Sequence, residues 1–425
     1  MLETLDLRDL LFAVAGLAFV GLTFLPLVCG KRLISVPMIY VSAGVLLALS
    51  PLGWPIIDPR GSETHLAIVE HATEIIVIVA LATAGLAVDT RAGRETWQHA
   101  WMLLAVTMPL TILAMFLLGQ WAGLGLGAAI LLGGAMAPTD PVLARDVQVG
   151  GPTEGGEDDV RLSLTTESGL NDALAFPFIW LAIVVVEAGN VLTGHVLRDW
   201  VLRDVLWRIS SAMVLAVIVG WLIGKYSLGS YGDLATGGHN AGLLFLGSTF
   251  FVYGVTEAVD GYGFLAVFVA ARVGRWVGHR TDAEDYVLKP HAAGEQFEKI
   301  LLAVLLLWLG SFAAAGGLEG LRFIEVIVAL LLIFVIRPAA GWVALFLTRG
   351  THLEKVTIAF FGIRGMGSLF YIAYGASHAQ FADIDTVWRI AIVAVLISII
   401  VHGVLAPIAM SQVSERSREP AKQGS

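Results

Sequence analysis

Charge is scarce in this chain of 425 residues. Asp, Glu, Lys and Arg together make up 14% of it, against about 25% in an average soluble domain. Apolar side chains reach 57%, with 47 glycines besides, and mean hydropathy is +0.80. That balance excludes a soluble multidomain enzyme, a disordered chain and a nucleic-acid binder. It points to one polytopic membrane domain whose apolar surface faces lipid. Positive excess is missing too: the net charge of -9 leaves no general basic character for an anionic partner. Cysteine is nearly absent. Cys29 stands alone, so no intramolecular disulfide forms. The ten histidines show no metal-ligand spacing.

What is abundant is the long apolar run. About thirteen recur, near 10–29, 34–52, 72–88, 99–119, 123–143, 162–186, 207–224, 240–258, 261–275, 300–316, 323–347, 356–377 and 386–410, and most meet the length of a membrane-crossing helix. The chain is therefore expected to be all-α, with a membrane domain over 1–412 and a short cytoplasmic tail over 413–425. The N-terminal stretch carries Glu3, Asp6 and Asp9 against Arg8 alone. A secretory leader begins net positive, so the first run is expected to be a retained helix. With the N-terminus outside, inner loops receive seventeen of the 26 Lys and Arg residues and outer loops seven. That bias favours an odd number of spans, with the C-terminus inside. Two inner loops are longer. The one over 144–161 is rich in Gly and acid, including Gly151, Gly155 and Glu157. The one over 276–298 is of mixed charge and is expected to form an amphipathic surface helix.

Two cations, Arg337 and Arg364, stay inside predicted helices. Ionisable groups there are costly and mark functional sites by default. The fifth segment reads Gly133-Gly134-Ala135-Met136-Ala137-Pro138-Thr139-Asp140-Pro141. Its two prolines free the carbonyls of Gly134 and Ala137, which predicts a broken helix whose oxygens, with Thr139 and Asp140, suit a dehydrated monovalent cation. The bland alternative is a helix end capped by Asp140. In the sixth segment Glu167, Ser168, Asn171 and Asp172 share one helical face, with Pro177 further on. Two carboxylates are unusual in the polar contacts that merely hold helices together. In the twelfth, Gly362, Gly365 and Gly367 surround Arg364 and mark a second break, or else a close helix contact through small residues. The two broken segments run in opposite directions, the arrangement that points to a transporter's midplane site. Arg337, followed by Pro338, needs a carboxylate partner, for which Glu167 is the candidate; a purely structural pair and a direct role in transport both fit. Glu187, Glu257, Asp260 and Glu325 fall near helix ends, where solvation suffices to explain them, and Glu70 and Glu74, at the start of the third helix, are expected to be interfacial and not ligands. His402 is expected to make a polar helix contact.

At these residues the chain resembles the monovalent cation:proton antiporters of the NhaP-like, sodium/hydrogen exchanger group. The matching pieces are Thr139-Asp140-Pro141, Glu167 to Asp172, Arg337-Pro338 and Gly362-Ile363-Arg364-Gly365, in family order. The resemblance implies an NhaA-like fold with two inverted repeats and crossing broken helices, a homodimer, and a place in the plasma (inner) membrane. It implies that Asp172 binds cation or proton, with Asp140, Thr139 and Ser168 contributing to the cation site. Asn171 in place of a second aspartate resembles the electroneutral branch. Glu167 with Arg337 would be a structural ion pair, and Arg364 would stabilise the helix break. In one place the chain departs from the pattern: Thr83 stands where many relatives carry a Glu in the third helix.

The expected chemistry is competition, in which Asp172 holds either a proton or a cation and the bound cation displaces the proton. No Walker-type phosphate loop is present, so the expectation is a secondary transporter and not an enzyme. It needs no cofactor beyond the transported Na⁺ or K⁺ and H⁺, and its expected role is in pH homeostasis. A K⁺/H⁺ antiporter, a gated monovalent cation channel and a membrane ion sensor are the other readings.

Overall fold

A computed structural model of the chain describes residues 6–29, 34–88, 94–150, 159–226, 240–279 and 285–422. The loop glycines and acids at 151–158 and the loop cations Lys31, Arg32, Arg91 and Arg280 lie outside them. Among the described residues there is no strand. The helices are α1 (Leu7–Cys29), α2 (Val36–Leu49), α3 (Glu63–Ala87), α4 (Trp97–Trp121), α5 (Leu126–Met136), α6 (Asp159–Glu187), α7 (Gly194–Lys225), α8 (Ala241–Glu257) and α9 (Gly263–His279). They continue with α10 (Lys289–Gly317), α11 (Phe323–Leu345), α12 (His352–Phe360), α13 (Met366–His378) and α14 (Ile384–Lys422).

Eight of these are long and apolar enough to cross a bilayer, α14 through its part up to Val413; α2, α5 and α8 are shorter apolar helices. With α9, and with α12 and α13 as two halves of one crossing, they account for the thirteen expected runs. The first proline of the fifth segment stands just past Met136, where α5 stops, and residues 137–144 are not helical. The twelfth segment stops at Phe360 and resumes at Met366, with 361–365 not helical. Prolines broke one crossing and glycines the other.

Among the described residues, no separate surface helix occupies 276–298, of which 280–284 lie outside them. Helix starts at Asp285 and runs unbroken into α10, because the polar stretch and the apolar run share one helical path. Small residues let neighbouring helices touch backbone to backbone. Gly44 of α2 faces the Leu307 carbonyl of α10, Gly310 of α10 faces the Val41 carbonyl of α2, and Gly85 of α3 sits against Phe268 of α9. α1 differs from all of these, with only Leu10 and Ala18 buried.

Candidate functional site

The two breaks meet. The backbone N–H of Asp140 donates to the Ile363 carbonyl at 2.8 Å, so one interrupted segment is hydrogen-bonded directly to the other. The Asp140 carboxylate then spans both. Its Oδ1 accepts from the Val142 N–H at 2.7 Å and its Oδ2 accepts from the N–H of Met366, the first residue of α13. A helix N-terminus carries unpaired N–H groups and partial positive charge, and a carboxylate answers both. Arg364 does the converse at the C-terminal end of α5. Its Nη1 donates to the Ala137 carbonyl at 2.5 Å and to that of Pro138. The Ala137 oxygen, expected from the sequence to be open for a cation, is therefore occupied by a guanidinium. Two glycines make the crossing possible. A Cβ on Gly362 would meet the Arg337 side chain at 2.5 Å, and one on Gly365 would fall on the Asp140 carboxylate.

The polar face of α6 packs beside this crossing, and all four of its residues are buried. Glu167 and Arg337 form a bidentate pair, with Nη1–Oε1 at 2.5 Å and Nη2–Oε2 at 2.7 Å. Asn171 donates from Nδ2 to Thr139 Oγ1 at 2.8 Å. Asp172 stands apart from these: it is 1% exposed and neither of its carboxylate oxygens has a hydrogen-bond partner. The Asn171 carbonyl oxygen is also unpartnered. Gly367 of α13 lies opposite Asp172, where a Cβ would stand 3.2 Å from Oδ1, and the Tyr371 hydroxyl holds the Asp172 backbone carbonyl at 3.0 Å. Thr139, Asn171 and Asp172 thus converge on the crossing. Ser168 is turned elsewhere: its hydroxyl accepts from Gln148 Nε2 at 3.1 Å and donates to the Thr165 carbonyl at 3.1 Å.

Beyond Ser168 lies a polar cavity of about 170 Å³, lined by Thr83, Pro141, Arg145, Gln148, His291, Glu295 and Glu298 among others. On the other side Phe176, one turn beyond Asp172 on α6, packs its ring against those of Tyr262, Phe264, Phe370, Tyr371 and Tyr374, with centroids 4.8–5.9 Å apart. The site thus adjoins a polar cavity through Gln148, the partner of Ser168, and an aromatic cluster through Phe176. Sequence reasoning missed Gln148 and the pairing of Arg145 with Glu298, whose two contacts are both 3.0 Å. Their partners lie 20 and 153 residues away, and no local pattern joins them. Glu325 is also not a solvated helix end. It is fully buried and bridged by Arg322 at 2.7 Å and Arg389 at 2.8 Å. Glu74 accepts from the Tyr253 hydroxyl at 2.5 Å. His402 packs its Nδ1 on Ser398 at 3.0 Å, and that serine accepts from the Arg364 N–H at 2.9 Å.

Comparison with known proteins gives this arrangement a context. The family model described as sodium/hydrogen exchanger, transmembrane, matches residues 15–412. The K⁺/H⁺ antiporter NhaP of Alkalimonas amylolytica is 25% identical over 344 residues, which is 79% of this chain and 56% of that protein. The Na⁺/H⁺ antiporter 2 of Zygosaccharomyces rouxii is 32% identical over 128 residues, 29% of this chain and 16% of that protein. The chain thus spans about half or less of the length of these curated relatives. Among solved structures, the sodium proton antiporter MjNhaP1 from Methanocaldococcus jannaschii superimposes with a TM-score of 0.71 at 19% identity, covering 96% of this chain and 98% of the other. At that identity the likeness speaks for the fold.

Proposed function

Since this chain belongs to the sodium/hydrogen exchanger family, we propose that it is a secondary antiporter exchanging a monovalent cation, Na⁺ first, for H⁺ by competition at Asp172. The observation that carries this reading is the Asp172 carboxylate, buried with both oxygens unpartnered beside the crossing of two broken helices. A buried polar group with no partner is costly. A proton or a partly dehydrated cation relieves that cost, and the two exclude each other. Asn171 and Thr139, already hydrogen-bonded to each other, supply neutral oxygens beside it, in keeping with a one-for-one, electroneutral exchange. Asp140, by contrast, has both oxygens engaged by backbone N–H groups and serves first to hold the crossing together. The polar cavity is the approach from the inner face, and the aromatic cluster closes the outer face. Exchange follows when the crossing moves against its surroundings and presents the site to the other side. The protein sits in the plasma (inner) membrane as a homodimer, N-terminus outside and C-terminus in the cytoplasm, and serves pH homeostasis.

K⁺/H⁺ exchange is the second reading. It is favoured by Thr83, a neutral side chain on the cavity wall, and by the name of the Alkalimonas relative. The test is a proton-flux assay in proteoliposomes with Li⁺, Na⁺ and K⁺ across pH. Cation-driven proton release is expected in the wild type, unaffected by an imposed membrane potential, and absent in Asp172→Asn. Persistent exchange in that variant overturns the assignment. Current without coupled proton flux makes the protein a channel.

A further inference from the structure

We propose that Phe264 is the gate that closes Asp172 off from the outer face, and that the hydrogen bond between Glu74 and Tyr253 bolts this gate shut. The proposal rests on the reading of Asp172 as the exchange site. Position comes first. On α6, Ser168 stands one turn before Asp172 and leads through Gln148 to the polar cavity, while Phe176 stands one turn after it and leads into the rings. On α3, Thr83 lines the cavity, and Glu74 precedes it by nine residues, about 13 Å at helical rise. A path of contacts joins Glu74 to Asp172. The Tyr253 hydroxyl donates to Glu74 Oε1 at 2.5 Å. The Tyr253 ring meets Phe264 edge-on, with centroids 5.0 Å apart. Phe264 stacks on Phe176 at 4.8 Å and packs against Phe370 at 5.1 Å. Phe176 meets Tyr371 edge-on at 5.4 Å, and the Tyr371 hydroxyl donates to the Asp172 carbonyl. Exposure falls along this path. The Glu74 side chain is 20% exposed and Tyr253 is half-buried, whereas Phe264 and Asp172 are each 1% exposed.

The path also runs from the crossing to its surroundings. Hydrogen bonds tie α6 to the crossing through Asn171 with Thr139 and through Tyr371 with the Asp172 carbonyl, and Asp140 joins the two broken segments. Phe176 and Phe370 therefore travel with the crossing. Phe264 belongs to α9, which packs on α3 and α7, and it is the ring through which those surroundings meet Phe176 and Phe370. For Phe264 to swing away from them, its ring needs the place that Tyr253 holds. Tyr253 has little slack. A Cβ on Gly263 would stand 2.5 Å from its ring, and Glu74 holds its hydroxyl. Glu74 is itself fixed, because its other oxygen is paired with His71 Nδ1 at 3.0 Å. A hydrogen bond to a carboxylate is of the stronger kind and shifts an equilibrium by about tenfold or more. Glu74 and Tyr253 are thus positioning residues, acting on the exchange through Phe264 and not on the cation.

The test reads access to position 172 from each side of the membrane. Cys29→Ser removes the single native thiol, and Asp172→Cys sets one at the site. An impermeant methanethiosulfonate is applied to right-side-out and to inverted membrane vesicles of the full chain. Its reaction is expected to be fast from the side of the polar cavity and slow from the other. Tyr253→Phe removes one hydroxyl, keeps the ring, and is expected to raise only the slow rate, by about tenfold. Glu74→Ala is expected to do the same, and Glu74→Gln, which keeps an acceptor oxygen, to fall between it and Glu74. Phe264→Ala is expected to bring the two sides close to equal. In a chain that retains Asp172, Tyr253→Phe is expected to lower the KM for the cation on the outer face and to raise it on the inner one, whereas a merely structural role lowers only the maximal rate. Equal rates from the two sides before any change to the rings overturn the gate. A slow rate unmoved by both Tyr253→Phe and Glu74→Ala overturns the bolt. Thiol access does not require exchange. The expected access pattern together with persistent exchange in Asp172→Asn ends the transport reading and leaves the closure by Phe264 standing.

Discussion

Asp140 and Asp172 are both carboxylates buried within the membrane domain, and they are treated in opposite ways. Each oxygen of Asp140 accepts a backbone N–H, whereas neither oxygen of Asp172 accepts anything. The difference extends to their surroundings. Around Asp140 lies a scaffold in which charge neutralises structure: Arg364 at the end of α5, Asp140 at the start of α13, and Glu167 with Arg337 alongside. Around Asp172 stand Gly367, the Tyr371 hydroxyl on its backbone carbonyl and an unpartnered amide oxygen. A single carboxylate is left unsatisfied at the point where the scaffold is most firmly held. Rigidity around an unsatisfied group is what a site needs if its occupant, and not its walls, is to change.

The largest expected effect separates the two aspartates by function. Asp172→Asn should reduce exchange in proteoliposomes to the level of empty vesicles while leaving thermal unfolding in detergent at or above the wild-type temperature, because an unpartnered group has been made neutral. A matching loss of stability would place Asp172 in the scaffold. Next, Glu167→Gln should cost about 3–5 kcal/mol of stability, since it strands Arg337 in the interior. Glu167→Met combined with Arg337→Met should recover most of it; if the pair of substitutions is as damaging as the single one, the ion pair is not what the scaffold needs. Asp140→Ala should cost about 2–6 kcal/mol by leaving two N–H groups unmet, and Asp140→Asn, which keeps one acceptor, should cost less and retain exchange. Abolished exchange in a fully stable Asp140→Asn would collapse the contrast and make both aspartates ligands.

The smallest effect lies far from both. In the loop between α2 and α3, burial works against ionisation of Asp58, but the hydrogen bonds and charge of Arg60 outweigh it and hold the carboxyl below its ordinary value of 3.8. A lowered value means that the pair stabilises the fold fully above that value and loses its effect as pH falls through the lowered one. Being partly exposed, it is worth about 0.2–1 kcal/mol. Asp58→Asn should therefore lower unfolding stability slightly at pH 7, with the gap closing toward pH 3.

The fold was legible in the sequence to the extent that single segments determine it. Apolar length predicted the crossings, Pro138 and Pro141 predicted one break, and Gly362 and Gly365 the other. The face of α6 that carries Glu167 and Asp172 follows from helical spacing alone. Contacts between segments were less legible. The Ala137 carbonyl was correctly expected to lose its helical partner, but nothing near it in sequence says that Arg364, 227 residues on, takes it. Glu325 looked like a solvated helix end until Arg389 arrived from another helix, and Gln148 is one of many polar loop residues until the fold sets it on Ser168. Each of these misses is a polar group satisfied at long range, which periodicity does not encode.

The partners of Arg364 at the crossing are main-chain oxygens, and this bears on how the protein can vary. A lost side-chain partner is replaceable: charges at 167 and 337 could in principle be exchanged or removed together. The carbonyls of Ala137 and Pro138 belong to every amino acid alike, so no second change in the fifth segment restores what a change at Arg364 removes. Position 364 is therefore a place without suppressors, and the two halves of the chain are bound there by a contact that neither half can renegotiate by substitution.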